Sequence, residues 1–197
     1  TAVCLIEASG TFGADFRFQT LGNALFSQAH MHAQFGGVFP NLAKREHAKN
    51  LVPVLASALQ EARELREGAE DFDLETLRTI LAREPELFDQ LGVFLASHKR
   101  PAIDAIAVTH GPGLEPALWV GVNFAKALAL AWNLPIVPVN HMEGHIAVSL
   151  MHDGKLAAFE FPLLALLISG GHTELVLAQE WQHYRRIGQT RDDAAGE

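Results

Sequence analysis

With 197 residues, 49% of them hydrophobic, the chain is long enough for one or two domains with a packed core. A formal net charge of −8 excludes a chain that binds nucleic acid over its whole surface, so any RNA contact needs a local basic patch or a partner subunit. Cys4 is the only cysteine, which excludes an intrachain disulfide and favours a reducing cytoplasm; we expect neither a membrane-spanning segment nor a signal peptide.

The beginning of the chain predicts two strands followed by a helix. Residues 1–6 read as an apolar strand, residues 9–13 as a turn and residues 21–27 as the returning strand. We expect this strand pair to form the antiparallel edge of a mixed sheet. Apolar residues at helical spacing predict a helix from about Leu42, in which Pro53 marks a kink or a break.

Charged residues dominate the next part of the chain. A basic cluster on the predicted helix is typical of a solvated helix face; it consists of Lys44, Arg45, His47 and Lys49. Residues 61–99 contain one or two further amphipathic helices, because their leucines and phenylalanines recur at helical spacing.

An alternation of strands and helices then predicts an α/β fold. Residues 103–108 and 135–139 read as parallel strands, and residues 117–132 between them read as a helix that is apolar on nearly every side and therefore buried. The glycine-rich loop at 110–114 precedes that helix. Such a loop either holds an anion at the helix N-terminus or is only the turn between strand and helix.

Two histidines open the next predicted helix. His141 and His145 are four residues apart, so they share one helix face and can hold one metal ion, although such a pair is more often a surface coincidence. Glu143 follows the first histidine by two residues, whereas a zincin-type protease needs the glutamate immediately after it. A third ligand has to come from elsewhere in the fold.

A glycine turn lies between an apolar run at 161–168 and an alternating run at 174–177, which is the pattern of a strand, a tight turn and a second strand. The candidate ligand-binding residues of this turn are Leu167, Ile168, Ser169, Gly170, Gly171, His172 and Thr173. Adjacent glycines let the backbone approach a ligand, and successive N–H groups there can form an anion-binding concavity. The alternative is an ordinary hairpin turn.

Four short motifs occur in a set order: GPGL at 111–114, VNHMEGH at 139–145, ISGGHTEL at 168–175 and DDAAGE at 192–197. Together they resemble the bacterial TsaD family, tRNA N6-adenosine threonylcarbamoyltransferase. The segment at 27–47, SQAHMHAQFGGVFPNLAKREH, is also similar to its counterpart in that family. The chain departs from the family pattern at Pro116, where a small residue is usual, and at Asn41, where bacterial relatives carry glutamate.

The resemblance implies the actin-like ATPase fold (ASKHA, ribonuclease H-like), an α/β architecture of two related domains with nucleotide in the cleft. Residues 1–156 would be the first domain, with a helical insertion at about 61–100, and residues 157–197 would begin the second. We expect the chain to lack the family's first strand with its acidic turn, and a C-terminal aspartate that completes the metal site. The chain alone is therefore expected to be inactive.

The resemblance also implies a reaction: transfer of the threonylcarbamoyl group from threonylcarbamoyl-adenylate to N6 of adenosine 37 in tRNAs that read ANN codons. It implies one divalent metal ion, iron or zinc, on His141 and His145, and a substrate contact at 167–173. No general base can be named. The implied partners are tRNA, a TsaB-like paralogue and a TsaE-like ATPase, with the basic cluster at 44–49 as a candidate tRNA contact. The alternatives are a non-catalytic scaffold of the same fold and a small-molecule kinase or ATPase.

Overall fold

The computed structural model describes residues 1–11, 14–33, 35, 37–69, 71–169, 171 and 173–196. The chain divides into two compact units. The first unit consists of Thr1–Ser9 and Phe18–His141, and the second of Gly10–Arg17 and Met142–Glu197. Among the helices of the described residues, none combines the length and apolar character needed to cross a bilayer.

The elements of the first unit, in chain order, are β1 (Ala2–Ser9), β2 (Arg17–Leu25, except its first residue), α1 (Ala29–Ala33), α2 (Pro40–Glu61), α3 (Leu74–Ile80), α4 (Pro85–Ser97), β3 (Ile106–Gly111), α5 (Glu115–Ala131) and β4 (Ile136–Asn140).

Helix α2 is the centre of the first unit's core. It begins at Pro40, whose fixed φ suits the first turn of a helix. The helix continues through Pro53 to Glu61, which excludes the break but not the kink that the sequence predicted at that proline. Its buried stripe includes Leu51, Leu55 and Leu59, which pack in one cluster with side chains of β1, α3, α4 and α5.

The charged stretch after α2 supplies part of the same core. Asp73 caps α3, because its carboxylate accepts the N–H of Thr76 at 3.0 Å. Four leucines on α3, α4 and the turn between them are fully buried: Leu77, Leu81, Leu87 and Leu91. These two short helices therefore stabilise the first unit by apolar burial.

Strands β3 and β4 are parallel, in the register Ile106↔Ile136 to Thr109↔Val139, and α5 connects them as the α/β pattern predicts. Strands β1 and β2 are hydrogen-bonded neighbours in a different sheet. Strand β1 is an edge strand of that sheet and β2 lies beside it, as expected of an edge pair; that the sheet is mixed stays a prediction.

The second unit contains α6 (His141–Ser149, from its second residue), β5 (Met151–His152), β6 (Lys155–Leu156), β7 (Leu163–Ile168), β8 (Thr173–Glu180) and β9 (His183–Gln189). Strands β7, β8 and β9 form an antiparallel meander. Strand β6 pairs with β5 and, through Lys155, with Arg17.

Candidate functional site

Helix α6 positions the two histidines that the spacing singled out. Strand β4 ends at Asn140 and α6 begins at His141, so His145 lies one helical turn further on. Both histidine side chains are exposed. A neighbouring stripe of the helix is apolar, and Ile146 on it packs into a small cluster with Leu167 and Val176. This packing holds the rest of α6 in place and leaves the imidazoles accessible.

Glu143 of the same helix has a structural partner. Its carboxylate hydrogen-bonds to the hydroxyl of Tyr184 on β9, within the second unit. Burial raises the pKa of Tyr184, and the negative charge of Glu143 raises it further. Glu143 therefore ties α6 to β9, which agrees with the argument against a zincin-type role.

The donor set that α6 offers fits two positions of a metal site. Neutral imidazoles are ordinary ligands for iron and zinc, and two of them one turn apart on a helix can bind one ion. Within the described part of the chain, no group of three or more His, Cys, Asp or Glu side chains is arranged to hold a metal ion. A complete site at His141 and His145 thus needs a ligand from outside these residues.

The glycine turn has the strand–turn–strand form that the sequence predicts. Strand β7 ends at Ile168, β8 begins at Thr173, and these two residues are paired across the turn. Leu167 is buried, whereas Ile168 is 55% exposed and Ser169 is half-buried. Gly171 is exposed, and a methyl group added to it would meet nothing within 4 Å. Gly170 and His172 lie outside the described residues.

The end of the described chain packs against this turn, a contact that the sequence did not reveal. The backbone N–H of Ala195 donates to the hydroxyl of Thr173 at 2.7 Å, and the N–H of Thr190 donates to the carbonyl of Thr173 at 2.9 Å. A Cβ on Gly196 would lie 2.7 Å from the carbonyl carbon and oxygen of Ser169. The motifs ISGGHTEL and DDAAGE therefore meet in space, with the second supporting the backbone of the first.

The glycine loop before α5 belongs to the first unit. Gly111 and Gly113 have φ values of 149° and 157°, which side-chain-bearing residues rarely adopt. Pro116 lies in the first turn of α5, where a missing N–H costs nothing. The departure from the family pattern is thus compatible with the helix. The expectation of a helix buried all round is wrong, since Trp119 and Leu130 are exposed.

The basic cluster on α2 is partly committed to structural contacts. Lys44 forms an ion pair with the buried Glu84, with Nζ 3.4 Å from Oε1. The Nδ1 of His47 lies 2.7 Å from the hydroxyl oxygen of Thr1. Burial lowers the pKa of His47 from its ordinary value. Arg45 also forms an ion pair, with its Nε 3.8 Å from Oε1 of Glu46, so three of the cluster's four members make side-chain contacts within the first unit.

His47 is one end of a side-chain hydrogen-bond network that sequence reasoning missed. Gln28 Nε2 donates to the Thr1 hydroxyl at 3.1 Å, and Gln28 Oε1 lies 3.3 Å from Nε2 of His32. The backbone N–H of Phe39 donates to Nδ1 of His32 at 3.2 Å. The only signal in the sequence was the polar composition of residues 27–32, which does not identify partners so far along the chain.

Comparison with known proteins gives the same protein name for the matching family model and for two curated relatives. The family model described as TsaD, tRNA N6-adenosine threonylcarbamoyltransferase, matches residues 19–68 and 94–197. A protein of that name from Koribacter versatilis (strain Ellin345) is 42% identical over 185 residues, which cover 91% of this chain and 39% of the relative. Another from Thermomicrobium roseum (strain ATCC 27502 / DSM 5159 / P-2) is 40% identical over 194 residues, covering 97% of this chain and 44% of the relative. The chain thus spans about two fifths of the length of the curated relatives it matches.

Proposed function

The chain belongs to the TsaD family, and from that premise we propose that the protein carrying it transfers a threonylcarbamoyl group from threonylcarbamoyl-adenylate to N6 of adenosine 37 in tRNAs that read ANN codons. The observation that carries the proposal is the extent of the family match. It runs through 94–197 without interruption and includes α6 and the turn between β7 and β8. Because the chain spans only part of its relatives, the activity is assigned to the whole protein.

We infer that His141 and His145 hold one divalent metal ion, iron or zinc, together with a ligand from outside the described residues. Their exposure and their separation of one helical turn support this inference. When bound, such an ion supplies Lewis-acid polarisation of carbamoyl or phosphate oxygens. The role of α6 is to fix the two imidazoles, which it does through its apolar stripe and the contact of Glu143 with Tyr184.

The proposed binding segment for threonylcarbamoyl-adenylate is 167–173. The open space beside Gly171 supports this assignment, and the hydrogen bonds that the N–H groups of Thr190 and Ala195 donate to Thr173 hold the end of the turn in place. In the reaction, the N6 amine bonds to the carbamoyl carbon as the bond from that carbon to the adenylate phosphate oxygen breaks, so that adenosine monophosphate leaves and the amine proton passes to solvent. Positioning and charge stabilisation suffice for that step, without a covalent enzyme intermediate or an assigned general base.

The proposal also covers the partner molecules and the cellular compartment. A TsaB-like paralogue and a TsaE-like ATPase are the proposed protein partners, and tRNA is the proposed acceptor. We place the reaction in the cytoplasm, where tRNA is modified.

The test is to incubate the whole protein, with its partner subunits, with threonylcarbamoyl-adenylate and an ANN-reading tRNA. Threonylcarbamoyladenosine is then measured by mass spectrometry of the digested tRNA. We expect product from the wild type, its loss in the double variant His141→Ala/His145→Ala, and retention in His152→Ala, an exposed histidine of the second unit that serves as the matched control. Metal content of each protein is measured alongside. Absence of product with the wild type would refute the reaction; a double variant with full metal content and full activity would refute the ligand assignment.

Gly170→Val gives a separate test of the substrate segment. We expect this variant to fold and to lose threonylcarbamoyl-adenylate binding, because a branched side chain would occupy space that the ligand approaches. The affinity of the folded variant for threonylcarbamoyl-adenylate is measured by isothermal titration calorimetry. An affinity equal to that of the wild type would refute the assignment of 167–173 as the binding segment.

A further inference from the structure

A pocket in the second unit combines aromatic rings with basic side chains. Its volume is about 560 Å³, within the range of pockets that hold one small ligand. Phe159, Phe161 and Trp181 line it together with Arg17 and Lys155. None of the residues that line the pocket belongs to α6 or to the turn at 167–173.

The three rings form a mutually perpendicular cluster. Phe159 and Phe161 have centroids 5.3 Å apart at 90°, and each lies edge-to-face with Trp181, at 5.4 Å and 85° and at 5.6 Å and 88°. This arrangement orients each ring through the quadrupole attraction of its neighbours. All three are only half-buried, so ring surface remains available to a ligand.

The two cations lie opposite one another on paired strands. Arg17 of β2 and Lys155 of β6 are register partners, and both are exposed. The guanidinium of Arg17 donates to the carbonyls of Asp15 and Phe16, at 3.3 and 3.1 Å, which fixes its position. Among the ion pairs formed by described residues, none involves either cation.

Two acidic residues, Asp15 and Glu160, are close in sequence to residues that line the pocket. The carboxylate of Asp15 accepts the N–H of Thr11 at 2.7 Å. Glu160 is exposed between the two phenylalanines. In a chain of net charge −8, two cations beside half-buried aromatic rings form a local site for a ligand that is both planar and anionic.

We propose that this pocket binds an unpaired nucleotide of an RNA strand, with the base against the aromatic cluster and a phosphate held by Arg17 and Lys155. Base–aromatic stacking joined to a basic groove is the usual physical basis of single-strand binding. The pocket accepts one nucleotide and is too small for a duplex. The identification of the RNA as the protein's tRNA substrate rests on the proposed function, whereas the chemistry of the pocket does not.

The test uses the whole protein and a fluorescein-labelled unpaired oligoribonucleotide, with fluorescence anisotropy measured between 50 and 200 mM KCl. We expect Arg17→Ala/Lys155→Ala to weaken binding about tenfold and to reduce the slope of log K against log salt by about 1.4, since each phosphate contact to a single strand contributes about 0.7. Trp181→Leu should weaken binding about tenfold with an unchanged slope, because stacking releases no counterions. The charge-preserving variant Arg17→Lys/Lys155→Arg should keep the wild-type slope.

The matched control is Arg83→Ala/Lys99→Ala, which removes two exposed cations from the first unit. If this control and the Arg17/Lys155 variant bind alike, the phosphate contact is wrong. Wild-type affinity in folded Trp181→Leu would overturn the stacking contact. Displacement of the oligomer by an equal concentration of adenosine monophosphate would assign the pocket to a free nucleotide, and salt-independent binding would assign it to an uncharged partner; either result overturns the RNA proposal.

The same proteins are assayed for tRNA modification, which separates the two proposals. A wild type that modifies tRNA, with all pocket variants binding RNA normally, contradicts only the pocket. A wild type that never modifies tRNA, with pocket variants that lose RNA binding, contradicts only the proposed reaction.

Discussion

Replacing Gly22 by alanine tests how closely β2 packs on α2. Gly22 is buried, and an added Cβ would lie 2.2 Å from the carbonyl oxygen of Ala58 and 3.1 Å from the backbone nitrogen of Ala62. Both obstacles are helix backbone, which cannot rotate away as a side chain can. Overpacking of this kind typically costs about 1–3 kcal/mol, and a backbone obstacle places Gly22→Ala at about 3 kcal/mol. For a chain of this size that lowers Tm by about 6–12 °C.

The same chemical change at Gly92 provides the control. Gly92 lies within α4, and a Cβ there would meet nothing within 4 Å. Alanine is favoured over glycine in a helix interior by about 1 kcal/mol, so Gly92→Ala should raise Tm by about 2–4 °C. Both variants are measured by thermal and urea unfolding followed by circular dichroism. If Gly22→Ala unfolds within about 0.5 kcal/mol of the wild type, a margin ordinary for surface substitutions, the close approach of β2 to α2 is refuted.

Three further predictions concern other contacts. Gly196→Ala should detach residues 190–196 from Ser169, because the added Cβ would clash with the Ser169 backbone. Hydrogen exchange of the amides at 190–196 should then be about tenfold faster, which corresponds to roughly 1.4 kcal/mol of local stability; an unchanged exchange rate would contradict the contact. Lys44→Met should lower the free energy of unfolding by about 3 kcal/mol because it leaves the Glu84 carboxylate buried without its cation, and adding Glu84→Gln should recover part of the loss in urea unfolding. Burial lowers the pKa of His47 from its ordinary 6.5, so the unfolded state binds more protons at this site below that pH. The contribution of His47 to the free energy of unfolding should therefore be level above about pH 6.5 and fall as the pH decreases; a His47→Gln variant whose stability has the same pH dependence as the wild type would refute this reasoning.

Local pattern was enough to identify much of the fold. The strands of the parallel pair, the helix that begins at His141 and the hairpin closed by Ile168 and Thr173 are elements that spacing and composition predicted, although β3 is shifted to Ile106–Gly111 from the predicted 103–108. The fold class inferred from the motifs, the actin-like ATPase architecture, is that of the TsaD family, and the mixed α/β structure agrees with it. The predicted boundary between the first and the second actin-like domain, after residue 156, stays a prediction.

Features that depend on distant residues could not be read in this way. Strand β2 begins at Arg17 rather than at residue 21, and Arg17 pairs with Lys155, far along the chain. The support that Ala195 gives to Thr173 likewise joins two motifs whose contact no periodicity encodes. For the metal ligands the sequence indicated residue types and spacing, and the structure adds their exposure, but the ligand set remains a proposal.

The network around Thr1 has a consequence for where its hydrogen atoms lie. The backbone N–H of Phe39 can only donate, so Nδ1 of His32 must be unprotonated to accept it. A neutral His32 therefore carries its hydrogen on Nε2, which donates to Oε1 of Gln28. Gln28 in turn donates to the hydroxyl of Thr1, which also contacts Nδ1 of His47. The N–H of Phe39 thus sets the tautomer of a neutral His32 and the orientation of the Gln28 amide, whereas the Thr1 hydroxyl, with one hydrogen and two lone pairs, can serve either tautomer of His47.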